Sequence, residues 1–385
     1  MNRKLALIAG LCLVAASCVA PIAPMNQTLA ATGIPRILGS TDSSANAPES
    51  SDDNTFIAFR FDKTRVFFAI AHGGDATFDF DWDETQNLQD LGKPAAGNAV
   101  EELWIANAKT VHDNSELFNR ANVGEEWRLE VSATSKVRVI VTKPVVASVM
   151  GNAIAGFLAE VEPQYQSEFS ASPSEYFLIH KGNDVSKQNS NNTALRLGRL
   201  PTWRATPKLQ NGIQQLLNEE LKKRLGSMHH FAYQDEDASR RYPELATNFE
   251  RWRKIDQKLR NGESKLDYDM QAFRMTPDGR LRLFIRARWM VDQQPGFLMS
   301  VWVRLDPQLL VESVNATQSE VIRTLTGYAP GLDSLGTIVN VFDQYADNRA
   351  TFLIFTPEYE GFEIQLFRYS DAGPVATKAD FGGSA

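Results

Sequence analysis

KLDYDMQAFRMTPDGRLRLFIRARWMVDQQPGFLMSVWVRL, residues 265–305, decides how the back half of the chain is built. Apolar residues recur there at every second position, the period of a strand with one buried face. Leu281, Leu283, Ile285, Ala287 and Trp289 form one such set, and Phe297, Met299, Val301, Val303 and Leu305 match it on the next run. The two sets must share a core face, because a slip of one residue turns either of them to water. Between the first two runs, Thr276-Pro277-Asp278-Gly279 is a turn signal, and a four-residue loop there pairs Met275 with Arg280. Carried back, that register sets Asp269 opposite Arg286 and Asp267 opposite Arg288, with Tyr268, Met270 and Ala272 on the core face. A bulged three-residue loop would put those apolar residues beside the arginines, which the hydrophobic match disfavours.

The opposite face then collects Arg280, Arg282, Phe284, Arg286, Arg288, Trp302 and Arg304. Two readings stand side by side. In one, the aspartates and arginines form a structural ladder, each pair contributing on the order of 0.2 to 1 kcal/mol. In the other, the face is a platform for an anionic glycan or nucleotide, because guanidinium groups and indole rings recognise anions and planar faces. On that reading the ligand-binding residues are Arg282, Arg286, Arg288, Trp302, Arg304, Asp267 and Asp269.

Upstream lies the best helix signal, with Thr206 as N-cap, Pro207 in the first turn, a stripe of Leu209, Ile213, Leu216, Leu217, Leu221 and Leu225, and Gly226 as terminator. Pro243 opens a second, with Leu245, Phe249, Trp252, Ile255 and Leu259, ending at Asn261-Gly262. Downstream, strands are expected at Leu335 to Tyr345, Ala350 to Phe355 and Phe362 to Tyr369, and Thr317-Gln318-Ser319-Glu320 fits the capping box of a short helix. Residues 195–372 therefore read as an α+β domain with helices packed on a curved antiparallel sheet, and 373–385 as a disordered tail. In outline this resembles the cystatin-like and nuclear-transport-factor-like arrangements, a likeness of fold that implies no function.

The front half differs. Between residues 55 and 182 short apolar runs alternate with turns, at Thr55 to Phe61, Val66 to Ala71, Ala76 to Trp82, Glu101 to Ala108, Trp127 to Ala133, Lys136 to Thr142, Ala153 to Val161 and Tyr176 to His180. These predict an all-β domain, sandwich or barrel-like, without helices. Residues 183–194 are polar and read as a linker, and the chain as a whole as multidomain.

Arg3, Lys4 and the apolar segment Leu5 to Ala16 read as a signal peptide over residues 1–17, too short to span a bilayer. Residues 18–54, rich in Pro, Ala, Ser, Thr, Asn and Asp, form a disordered tether. The protein is thus expected to be exported, to the periplasm or the exterior. Cys18 follows the small residues Ala16 and Ser17 and is a candidate lipoprotein cysteine that would anchor the chain to a membrane. Cys12 and Cys18 are the only cysteines, so the mature domains hold no disulfide and no cysteine-bound metal.

With 385 residues, 43% of them apolar, the chain is globular in composition, and its net charge of -7 argues against a nucleic-acid binder. The charge is unevenly divided. Residues 195–304 carry 21 Lys and Arg against 13 Asp and Glu, whereas residues 32–194 carry 13 against 23 and residues 305–385 carry 4 against 11. The basic block suits an anionic glycan, a membrane surface or an envelope protein, or else the acidic segments of its own chain.

Three further groups invite a functional reading. Asp79, Asp81 and Asp83 have the alternate spacing of a calcium loop, but Glu84 stands where the turn requires Gly; an amphipathic strand with Phe78, Phe80 and Trp82 inward explains every residue without a metal. His72-Gly73-Gly74-Asp75 has the look of an esterase oxyanion loop, yet the chain lacks a Gly-x-Ser-x-Gly elbow, which leaves a hairpin turn. His229 and His230, near Asp235, Glu236 and Asp237, lack a metal-ligand spacing. No Walker loop or dinucleotide fingerprint implies a cofactor. The expectation is an extracytoplasmic binding or assembly protein of the cell envelope, non-enzymatic. The alternative is a hydrolase of a cell-wall or other extracellular polymer, acting through carboxylates such as Asp267 and Asp269 beside Tyr268.

Overall fold

The computed structural model describes residues 54–95, 99–182, 197–227, 253–320, 335–344, 349–358 and 361–384. Nine strands come first: β1 (Thr55–Arg60), β2 (Arg65–Ala69), β3 (Thr77–Phe78), β4 (Gln89–Gly92), β5 (Glu102–Ile105), β6 (Glu126–Ser132), β7 (Ser135–Val149), β8 (Asn152–Val161) and β9 (Tyr176–Lys181). Their order is β3-β8-β2-β1-β9-β6-β7-β5-β4, and β7 also pairs with β8, so six of them close into a barrel. The 15-residue β7 makes this closure possible, since it pairs β6 along its first half, β5 along its second, and β8 along most of its length. Phe56, Phe68, Trp127, Leu129, Phe157 and Phe177 fill one side of these strands. Ile57, Phe59, Phe67 and Leu178 emerge on the other, as the two-residue period of a strand requires.

The front half is not free of helices. Ala108–Asp113 (α1), Ser115–Phe118 (α2) and Gln166–Ala171 (α3) are short helices, and the Asn107 side chain caps α1 by accepting from Thr110 N at 2.8 Å. The expected strand from Ala76 to Trp82 stops after Thr77–Phe78, because Asp81 caps a 3-10 turn, Trp82–Asn87, by accepting from Asp83 N. At His72-Gly73-Gly74-Asp75 the chain also forms a 3-10 turn, Gly73–Ala76.

A second sheet runs β10 (Gly198–Arg199), β11 (Lys265–Arg274), β12 (Leu281–Val291), β13 (Gln294–Leu305) and β14 (Val311–Glu320), in that order. Its register is the one the hydrophobic match requires: Asp269 faces Arg286, Asp267 faces Arg288, and Trp289 faces Phe297. The β12–β13 turn takes only Asp292 and Gln293, both at positive φ, and an irregularity at Trp289/Met290 restores the pairing beyond it. On the core face, Leu283, Ile285, Trp289, Met299 and Val301 pack against α4 (Pro207–Ser227), through Leu209, Ile213, Leu217, Leu221 and Leu225, and against a helix at 253–260. Leu245, Phe249 and Trp252, expected on the same helix, lie outside the described residues.

Strands β15 (Thr337–Phe342), β16 (Thr351–Glu358), β17 (Gly361–Ser370) and β18 (Gly373–Ser384) do not extend the second sheet; they form a third, in sequence order. Phe352, Ile354 and Tyr369 of this sheet pack on Phe273, Phe284 and Trp302 of the second. Leu353, Phe362, Ile364, Leu366 and Phe381 pack on Ile57, Phe59, Phe67 and Leu178 of the barrel strands. The third sheet is thus a middle layer buried on both faces, and the described residues belong to one compact unit, Pro48–Ala385. Two expectations change accordingly. The segment 373–385, read as a tail, supplies strand β18 with buried Ala379 and Phe381. Thr317–Glu320, read as a capping box, lies in β14, where β13 offers the backbone a ladder partner. The chain is mostly β, with few helices.

Candidate functional site

The arginine face of the second sheet is turned toward the third sheet. Arg286 Nη2 lies 2.7 Å from Asp269 Oδ2, Nε donates to the same carboxylate, and Nη1 donates to Thr337 Oγ1 at 2.7 Å. Arg288 stands 3.8 Å from Asp267. Arg280 and Arg304 share Glu312 of β14, at 2.7 and 3.0 Å. Arg282 is buried, donates to Thr276 Oγ1 and Asp278 Oδ2 at 3.0 Å each, and lies 5.6 Å over the Tyr369 ring. Burial would raise the Asp278 carboxyl, but contacts from Thr276, the Arg280 amide and Arg282 hold it below the ordinary range. Part of the basic block is therefore met by carboxylates of the chain itself.

Trp302 is fully buried, with Phe273, Phe284, Phe352 and Tyr369 at centroid distances of 5.1 to 5.6 Å. It presents no ring face to a ligand, so the platform formed by Trp302 with the arginines does not exist as an open surface. Asp267 and Asp269 each face a guanidinium, an arrangement unlike an acid and a base set across a cleft.

Between the second and third sheets lies a cavity of about 150 Å³, lined by Phe284, Ser300, Gly336, Ile354, Thr356, Glu363, Gln365 and Phe367. The strand registers account for its polarity. On the third sheet Phe352 pairs with Phe367, Ile354 with Gln365, and Thr356 with Glu363, so one face runs from aromatic to polar over three cross-strand pairs. The aromatic end closes on Trp302, and the polar end opens opposite Ser300, which pairs with Arg286 across β12 and β13. Thr337, which accepts from Arg286, follows Gly336 at the rim. The cavity adjoins Arg286 while excluding Trp302.

A second polar group was not anticipated from the sequence. Glu130 is fully buried on β6, on the barrel face opposite the Trp127 and Leu129 side chains. Its Oε1 lies 3.2 Å from His180 Nε2 and 3.5 Å from both Arg128 and Lys136. His180 Nδ1 is 2.9 Å from Thr55 Oγ1, and Gln344 Nε2 donates to Thr55 Oγ1 at 3.2 Å. Lys136 Nζ donates to the Asp343 carbonyl at 3.1 Å. Burial lowers the His180 imidazole from its ordinary value; Glu130 pulls the other way, and Arg128 and Lys136 add to the lowering. For Glu130, burial alone would raise the carboxyl, but His180, Lys136 and Arg128 together bring it down. The sequence signal was faint: charged residues alternate with Trp127, Leu129 and Val131, as on any solvated strand face.

The remaining candidates are simply placed. Asp79, Asp81 and Asp83 are exposed, while Phe78, Phe80 and Trp82 pack against the barrel core. Among the described residues no three His, Cys, Asp or Glu are grouped to hold a metal ion. The His72 ring stacks on Phe56 at 5.2 Å. His229, His230, Asp235, Glu236, Asp237 and Cys18 lie outside the described residues. No helix among the described residues is long and apolar enough to cross a membrane, which says nothing of spanning strands. Comparison with family models, with curated proteins and with solved structures yields no match, so the site is read from its own geometry.

Proposed function

We propose that the chain is an extracytoplasmic, non-enzymatic binding or assembly protein of the cell envelope, with its site in the cleft between the second and third sheets. The supporting observation is the cavity of about 150 Å³ between them. A void of that order accommodates a single ring of about six non-hydrogen atoms. A hexose unit with its hydroxyls is larger than that, so the part that enters is one edge of a terminal unit of a larger molecule, not a nucleotide or an extended cofactor. Half-buried Phe367 offers a ring face, while Ser300, Thr356, Glu363 and Gln365 offer hydroxyl, carboxylate and amide groups. That combination suits a sugar ring, whose C–H face packs on an aromatic and whose hydroxyls both donate and accept. The pairing of Arg286 and Arg288 to aspartates favours a neutral glycan over an anionic one. No observation favours the hydrolase reading.

In this reading the second sheet with its helices is an α+β module on a β-rich base. Residues 1–17 export the chain, and Cys18 is the candidate anchor. Thermal denaturation of the full chain in the presence of a neutral N-acetylglucosamine oligomer and of an acidic galacturonate oligomer tests it, because a ligand bound only by the folded state raises Tm with concentration. A concentration-dependent rise with the neutral oligomer is expected. No rise with either, or a rise with the acidic one alone, would overturn the assignment.

A further inference from the structure

We propose that Glu130, His180 and Thr55 form an acid-sensitive latch, which holds the end of β15 against the barrel near neutral pH and releases it when His180 takes up a proton. The groups come from separate elements that must stay together for the contacts to exist. Thr55 is on β1, Arg128 and Glu130 on β6, Lys136 on β7 and His180 on β9, while Asp343 and Gln344 follow β15 directly. The seam between barrel and third sheet is crossed at this point by Gln344 to Thr55 and by Lys136 to the Asp343 carbonyl.

One arrangement of protons suits a neutral imidazole. The Thr55 hydroxyl donates to His180 Nδ1, and the proton on Nε2 lies beside Glu130 Oε1, 3.2 Å away, in a charge contact without aligned hydrogen-bond geometry. A second proton on the ring disturbs this twice over. Nδ1–H then faces the Thr55 hydroxyl, which must turn its own proton away. The buried Glu130 carboxylate is then flanked by three cations, His180, Arg128 and Lys136, with the buried Asp343 carboxyl as the other acidic group of the seam. Attraction between imidazolium and Glu130 opposes these effects, and the balance of burial and the two neighbouring cations leaves His180 harder to protonate than in water. Asp343 and Gln344 are themselves buried, so release means exposing that end of the strand.

The sign follows. An opened latch has a histidine titrating at about 6.5, whereas the closed latch binds its proton less readily, so the opened state gains protons first as pH falls. Opening becomes easier by up to about tenfold per pH unit below that value. Because β15 spans only Thr337–Phe342, its other end is the cleft rim, where Thr337 holds Arg286. Between the two ends, Asn340 donates to the Val131 and Tyr176 carbonyls of the barrel and Ser174 donates to the Val339 carbonyl, so the acid-driven release is confined to the Asp343 end.

Hydrogen exchange of the unliganded full chain, corrected for intrinsic rates, tests the latch without any ligand. Between pH 7.5 and 5.5 the amides at the Asp343 end of β15 are expected to open up to about tenfold more readily, with β12 and β13 unchanged. The difference should vanish in His180→Gln, which cannot take up the proton. If that variant fails to fold, Gln344→Ala serves: the same amides should already exchange quickly at pH 7.5. Equal protection of that end at both pH values, acceleration shared by all three sheets, or a pH effect persisting in His180→Gln would overturn the proposal.

Discussion

Arg286 and Asp269 show how a side chain that looks like a binding group is settled by its neighbours. The sequence placed them opposite each other because the apolar set from Leu281 to Trp289 admits only one register, and the observed pair is held by two guanidinium nitrogens. Arg286 is 17% exposed and Asp269 41%, so the pair is partly screened and its coupling modest. In a double-mutant cycle, Arg286→Leu with Asp269→Leu is expected to be better tolerated than the sum of the single changes, with a coupling of about 1 kcal/mol. Denaturant midpoints of the four proteins give that number, and a coupling of zero would remove the pair as a stabilising element. Glu130 is a harsher case because nothing screens it. Glu130→Ala leaves Arg128 and Lys136 beside an empty buried site, and a loss of about 3 to 5 kcal/mol is expected in the same measurement. Since both the Glu130 and His180 groups are lowered in the folded chain, stability should be full at neutral pH. It should fall as pH drops, first below about 6.5 through the histidine and then below about 4.3 through the carboxyl. The alternating charges at Arg128 and Glu130 carry no sign of this, because the Asp343–Gln344 segment meets their neighbours Thr55 and Lys136 only in the folded chain.

At the scale of elements, periodicity was legible where a strand has one wet face and failed where it has none. β11 to β13 could be read with their partners, down to individual pairs. In the third sheet Phe352-Leu353-Ile354-Phe355 is apolar without alternation because both faces are covered, so its separateness from the second sheet could not be read from the pattern. β18 is illegible in the sequence for a related reason. Its sequence, GPVATKADFGGS, is rich in small residues, and among those described the apolar side chains Ala379 and Phe381 mark the buried side. If β18 is a strand of the middle layer, Phe381→Ala should cost about 3 to 5 kcal/mol, and deletion of residues 373–385 should cost more. Calorimetric or denaturant unfolding of both variants decides, and wild-type stability in the truncated chain would return the segment to a tail. The short helices α1 to α3 leave no mark in the sequence pattern because one or two turns carry too few residues to show a period.

In the whole molecule, the middle sheet joins what the sequence divided. Phe342, Leu353, Phe362 and Phe381 share one hydrophobic cluster with Ile57, Phe59 and Leu178, so the barrel strands and the last strands of the chain complete each other's core. Residues 55–182 and 195–385, produced separately, are therefore expected to lose cooperative unfolding or to associate when mixed. Two independent sharp transitions equal to those of the intact chain would show that the shared cluster is dispensable. The cleft itself was beyond sequence reading, since Ser300 and Phe284 come to face Thr356, Glu363 and Gln365 only when two sheets with no sequence pairing signal are stacked. What could be read was its edge, through Arg286. The most direct test of the binding reading is calorimetric titration of the neutral N-acetylglucosamine oligomer into the full chain and into Ser300→Leu, which places a larger side chain in the cavity. Saturable binding to the unaltered chain, weakened at least about tenfold in a folded Ser300→Leu, is the expected result. Equal affinity in both proteins, or no binding to the unaltered chain, would contradict it.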